Sequence, residues 1–199
     1  ELTSLLNLSD SYLMIENYAA AIEVSQKGLA LAREMTKSAA VINFLQNISS
    51  AYYFIADYNQ AIQYTQQSLE IARVVQDKNS ERQALNILGN IHYYLRDYDK
   101  AINYYEQVVS IDRSQKNYRS LGLALGNIGL AYISKGEAAK AIDYLEKDLE
   151  VSRIVGDRLS ESQTLGYLGT AYLRLKNYSK SVEYYQQALV ATQKAKYTR

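Results

Sequence analysis

Ser49-Ser50-Ala51-Tyr52, Gly89-Asn90-Ile91-His92, Gly129-Leu130-Ala131-Tyr132 and Gly169-Thr170-Ala171-Tyr172 recur every 40 residues without an insertion, and Ser9-Asp10-Ser11-Tyr12 extends the series backwards to five copies. Around this kernel the same marks return. Leu5, Leu45, Leu85, Leu125 and Leu165 are followed three residues on by Leu8, Ile48, Leu88, Ile128 and Leu168, then at once by Ser9, Ser49, Gly89, Gly129 and Gly169. Three further on stands a ring, Tyr12, Tyr52, His92, Tyr132 or Tyr172. Steps of three and four place these residues on one face of a helix.

Working outward, a short turn follows at Glu16-Asn17-Tyr18, Ala56-Asp57-Tyr58, Arg96-Asp97-Tyr98 and Lys176-Asn177-Tyr178. Asn and Asp suit turns and helix starts because their side chains bond nearby backbone amides. A second helix then carries Ala21-Ile22, Ala61-Ile62, Ala101-Ile102, Ala141-Ile142 and Ser181-Val182, with Tyr64, Tyr104, Tyr144 and Tyr184 behind them, and then Leu29, Leu69, Val109, Leu149 and Leu189. Each copy reads as helix, tight turn, helix. One such pair cannot bury its apolar face alone, so copies must stack. Most of the 20 tyrosines fall in these columns, which makes them architectural. Between copies, Ser80 and Ser160 read as helix caps. The expected fold is all-α, a right-handed α-solenoid of five helix-turn-helix repeats, at about 1–37, 38–77, 78–117, 118–157 and 158–199, forming a single array over 1–199.

Composition bounds the chemistry. The chain has 199 residues, 48% of them hydrophobic, and a formal net charge of +1. No clustered basic excess is visible, so neither nucleic acid nor membrane is an expected partner. Cysteine is absent, which excludes disulfides and thiolate metal sites, and the single histidine excludes a His-pair metal site. No metal and no cofactor are expected. No apolar run approaches the roughly 18 residues of a membrane span, no signal-peptide pattern is visible from Glu1 onward, and the expected setting is cytoplasmic. The start at Glu1 fits a fragment of a longer protein. Proline is absent, which permits long helices.

The pattern resembles the tetratricopeptide repeat family, carried by Leu88-Gly89 with His92, Ala101 and Tyr105 and again by Leu168-Gly169 with Tyr172, Ser181 and Tyr185. The usual period of 34 is here 40, as in Pins-type spindle-orientation scaffolds, kinesin light chains and many bacterial signalling proteins. The added length makes the second helix run on through Ile71-Ala72-Arg73 and Val151-Ser152-Arg153. The fourth copy departs from the rest, with Ala138 for the turn tyrosine and Asp148 where the others have Gly28, Ser68, Val108 and Ala188.

The resemblance implies that the first helix of each pair lines a concave groove. Mapped here, the second repeat offers Asn43, Gln46, Asn47, Ser50, Tyr53 and Phe54, and the third Gln83, Asn86, Asn90, Tyr93 and Tyr94. The fourth offers Asn127, Ile133 and Ser134, and the fifth Gln163, Tyr167, Thr170 and Arg174. Amides pair with an extended peptide backbone and aromatic rings give rigid contact area, so the set suits a peptide or protein segment. With Arg174 its only cation, the set does not suit a carboxylate clamp. Gly126 and Gly166 beside it open room for a ligand chain, or else, with Gly122 and Gly129, allow close helix packing.

Catalysis is not expected. His92 reads as a packed ring, Glu146 and Glu150 as a solvated face, and Gly122, Gly126 and Gly129 lack the preceding strand of a phosphate loop. The functional expectation is a scaffold that holds a partner in its groove. The alternative is a regulatory or sensor domain of a larger signalling enzyme or transcription regulator. End-to-end self-association through the terminus at Tyr197-Thr198-Arg199 is a further reading.

Overall fold

The computed structural model describes residues 1–196, with side chains placed through Lys194. Among the described residues there are ten α-helices and no strand: α1 (Leu2–Met14), α2 (Tyr18–Glu34), α3 (Ser38–Phe54), α4 (Tyr58–Val74), α5 (Lys78–Tyr94), α6 (Tyr98–Gln115), α7 (Tyr118–Lys135), α8 (Ala138–Val155), α9 (Arg158–Arg174) and α10 (Tyr178–Lys196). Odd-numbered helices are the first of each pair. The terminus at 197–199, invoked above for self-association, lies outside the described residues.

The backbone repeats every 20 residues, half the sequence period. Glu16, Thr36, Ala56, Gln76, Arg96, Lys116, Gly136, Gly156 and Lys176 each end a helix at positive φ. In every one of these turns the next residue's N–H reaches back to the helix, as in Asn17 N to Tyr12 O and Asp77 N to Ala72 O, both 2.9 Å. This is the Schellman closure, which satisfies carbonyls left over at the helix end. Where that next residue is Asn or Asp it also caps the following helix, whereas Lys37 and Glu137 make no side-chain cap. Asn17, Asp57, Asp97, Asn117 and Asp157 each accept a backbone N–H three residues on. Turns within and between repeats are therefore the same device. Ser80 and Ser160, expected as caps, are instead the residues that Asp77 and Asp157 bond through their backbone N–H, each at 3.1 Å. An aspartate one turn earlier meets the free amides better than a serine already inside the helix.

The chain forms two compact units, Glu1–Ile91 and His92–Arg199, with the division inside α5. In the first unit α1, α2, α3 and α4 pack in chain order, and α1 also touches α3. Phe44, Leu45 and Ile48 of α3 are fully buried in its core with Leu29 and Ala32 of α2. In the second unit α6 to α10 pack in chain order and α7 touches α9. There Leu145, Leu165 and Leu168 join Ala141, Ala171 and Leu149.

Small residues set the helix spacing, and their partners are sized to match. Ser9 Oγ lies 2.5 Å from Ser25 Oγ, and Ser49 Oγ hydrogen-bonds Thr65 Oγ1. Where the first helix has glycine, the second answers with a large side chain. A Cβ on Gly129 would lie 2.5 Å from Leu145 Cγ, and one on Gly169 2.8 Å from the Tyr185 ring. Between repeats the logic returns, since a Cβ on Gly28 would fall 2.2 Å from the Phe44 ring. Fully burying a side chain such as Phe44 contributes about 3 kcal/mol.

Candidate functional site

Within the first unit, four expected groove residues converge. Ser50, Tyr53 and Phe54 of α3 and Asn90 of α5 line a cavity of about 150 Å³, together with Ile87. Phe54 stacks on Tyr18 of α2 at 5.4 Å between ring centres, and Tyr53 meets Phe54 edge-on at 5.5 Å. Phe54 still keeps 59% of its surface in water. An exposed ring held by a neighbouring ring is a preformed contact surface that loses little rotamer freedom on binding.

Other expected residues are already engaged. Asn47 donates to Asp10 Oδ1 at 2.6 Å and to Ser9 Oγ at 3.1 Å, and so ties α3 to α1. Gln46 reaches the Ser80 carbonyl at 3.5 Å. Asn43 and Gln83 are exposed, and Asn86 is half-buried outside the cavity lining.

In the second unit Tyr93 gathers Tyr94 and Tyr98 at ring separations of 5.9 and 5.7 Å, and its hydroxyl lies 3.0 Å from Ser134 Oγ. Tyr167 is half-buried against the core, where burial pushes its phenol pKa up. Asn127 is half-buried, and Gln163 and Arg174 are exposed. Thr170 Oγ1 bonds the Gly166 carbonyl and the Tyr185 hydroxyl, both at 3.0 Å, which ties it to α10. Ile133, expected along the groove, is buried in the core cluster of Ala138 and Leu145.

The glycines divide between the two readings. Gly166 faces open space, whereas a Cβ on Gly126 would meet Asp148 Oδ2 at 2.8 Å and one on Gly122 would meet Oδ1 at 3.0 Å. Gly122 and Gly126 thus make room for a buried carboxylate, a role that spacing alone did not reveal. Asp148 accepts from Thr164 Oγ1 at 2.5 Å and from Ser152 Oγ at 3.1 Å. Burial, with Asp157 nearby, raises its pKa to about 6 against these two hydrogen bonds.

His92 is a packed ring, stacked on Tyr104 at 5.5 Å, and its Nδ1 lies 3.6 Å from Asp97 Oδ2. Burial holds its pKa below the usual range, with Asp97 opposing, so the imidazole is neutral at pH 7. Among the described residues no cluster of three His, Cys, Asp or Glu side chains could hold a metal ion. No described helix is long and apolar enough to cross a membrane.

Known proteins share this architecture. Over 94% of its length the chain superposes on aspartyl phosphate phosphatase F from Bacillus subtilis with a TM-score of 0.83 and 21% identity, spanning 49% of that protein. A putative kinesin light chain from Podosopora anserina with nearly identical TPR-like repeats matches over 98% of this chain and 96% of its own, with a TM-score of 0.83 and 17% identity. A Rap protein complexed with competence and sporulation factor matches at a TM-score of 0.72 and 14% identity, over 98% of this chain and 64% of the Rap chain. No curated protein matches the sequence. The tetratricopeptide repeat pattern itself matches residues 38–114 and 120–194, and a second form of it matches 87–149. With that pattern over most of its length, the chain belongs to the tetratricopeptide repeat family.

Proposed function

We propose that this chain is a protein-interaction scaffold whose first helices receive a peptide or protein segment, with the anchor at the cavity of Ser50, Tyr53, Phe54, Ile87 and Asn90. The observation that carries the reading is the exposed Phe54 ring, braced by Tyr18 beside a cavity wide enough for one apolar side chain. Asn90 and Ser50 supply polar groups at its edge for a partner backbone. The remaining exposed positions of the first unit, Asn43 on α3 and Gln83 on α5, add further amides. The Rap protein in complex with its factor is a precedent for this architecture holding a ligand. The reading assigns no catalytic step to the chain.

Affinity capture with wild type and a Phe54→Ala, Asn90→Ala variant of matched helicity tests it. A partner held by wild type and lost by the variant supports the anchor, and equal retention by both rejects it.

A second reading is a regulatory part of a larger signalling protein, favoured by the match to half of an aspartyl phosphate phosphatase. It applies if the parent open reading frame carries an effector domain. Self-association has one observation in its favour. Val182, Leu189 and Val190 of α10 are exposed, whereas Leu29, Leu69, Val109 and Leu149 in the register of Leu189 are buried. Sedimentation showing a monomer at all concentrations would exclude it.

A further inference from the structure

A second cleft opens in the second unit between α6 and α8. It has about 380 Å³ and is floored by Val109 of α6 and by Leu125 and Ile128 of α7. Its rim carries Arg113 and Lys147. The repeat register shows what is unusual about these two cations. Arg73 and Arg153, one repeat to either side, each bond a glutamate eight residues on: Arg73 to Glu81 at 3.0 Å and Arg153 to Glu161 at 2.9 Å. Eight residues beyond Arg113 stands Leu121, which is buried. Arg33 likewise lacks the glutamate, with Val41 in its place, and donates instead to Gln67 Oε1 at 3.1 Å, 34 residues on. The residue 34 beyond Arg113 is Lys147.

The position that supplies an acceptor to Arg33 thus supplies a second cation here. Arg113 has no ion-pair partner among the described residues, and Lys147 rests over the Tyr144 ring at 5.3 Å. The carboxylate in the cleft's lining, Glu106, accepts from the Tyr144 hydroxyl at 2.9 Å. Two cations beside an apolar floor are complementary to a carboxylate next to an apolar side chain.

We propose that this cleft docks an acidic segment of a partner protein, one carboxylate bridging Arg113 and Lys147 while a neighbouring apolar side chain enters the cleft against Val109, the floor residue that keeps some surface. The site is built from α6, α7 and α8 of the second unit and does not depend on the Phe54 cavity.

Acetyl-Leu-Glu-Leu-Glu-Leu-amide titrated into isotope-labelled protein, followed by NMR, tests the proposal. Shifts are expected to cluster on α6 and α8, with affinity on the order of 1 mM or tighter, as fits a small interface. Arg113→Glu and Lys147→Glu are each expected to weaken binding about tenfold, whereas Lys37→Glu, with the same change in net charge, leaves it unaltered. Both rim side chains are exposed, and Arg113→Gln serves if the reversal unfolds the protein. Equal shifts from the Leu-Lys counterpart, unchanged affinity in the Arg113 variants, or equal binding of inorganic phosphate would overturn it.

Discussion

Replacing Asp148 by Asn should remove a pH dependence of stability that comes from a buried carboxylate. The carboxyl is 4% exposed and faces Gly122 and Gly126 of α7, Ser152 of α8 and Thr164 of α9, with no cation among these groups. Its folded pKa is about 6, raised from 3.8 chiefly by burial. A raised acid pKa means that the folded state binds the proton more tightly. Its contribution is therefore most favourable below the unfolded value, and declines as pH rises from about 4 through about 6. At about 1.4 kcal/mol per unit, less the part already lost by pH 4, that is about 2.4 kcal/mol less stability at pH 7 than at pH 4 from this group alone. Asn keeps the shape and an acceptor for Thr164 and has no charge to desolvate. Urea denaturation from pH 4 to 7.5 should show wild type losing stability across the window relative to Asp148→Asn, with the two converging at the acid end. Parallel profiles for the two proteins, or a variant that falls behind as pH rises, would refute the reasoning.

The matched small and large pairs should behave as units. Gly129→Ser places a Cβ against buried Leu145 and should cost about 1–3 kcal/mol. Adding Leu145→Thr recreates the Ser49–Thr65 pair and should give a favourable coupling of at least about 1 kcal/mol in a double-mutant cycle by urea denaturation. Thr36, branched at Cβ, sits at φ 53 in its turn. Relief of left-handed strain of about 1–2 kcal/mol exceeds the chain-entropy cost of glycine, so Thr36→Gly should stabilise by roughly 0.5–1 kcal/mol. A lower melting temperature in Thr36→Gly would mean that the turn is not strained.

The helix pairs were legible because the 40-residue recurrence carries its own registration, and every interior copy could be checked against the next. The 20-residue recurrence of the turns was not, because Thr36, Gln76, Arg96 and Lys116 share no side-chain chemistry. Only the backbone repeats there. Ser80 and Ser160 looked like caps because the serine signal is strong, while the aspartate three residues earlier completes the Schellman turn as well. At the site, Phe54 and Asn90 stood out by residue type. Ile87 did not, since an apolar residue on a helix reads as core, and it lines the cavity only because α3 and α5 leave a gap above it. Asn47 hydrogen-bonds Asp10, 37 positions away, a contact that no local pattern announces. Gly126 was ambiguous until the aspartate it faces was seen.

The most direct test of partner binding at the first helices is photo-crosslinking from two positions in the first unit. Benzoylphenylalanine would replace Phe54 beside the cavity, and in a second protein exposed Gln63 on α4. In source-cell lysate the account expects one partner segment to crosslink at position 54 and not at 63, identified by mass spectrometry. Crosslinking at 63 with none at 54 would contradict it and move the binding surface to the second helices.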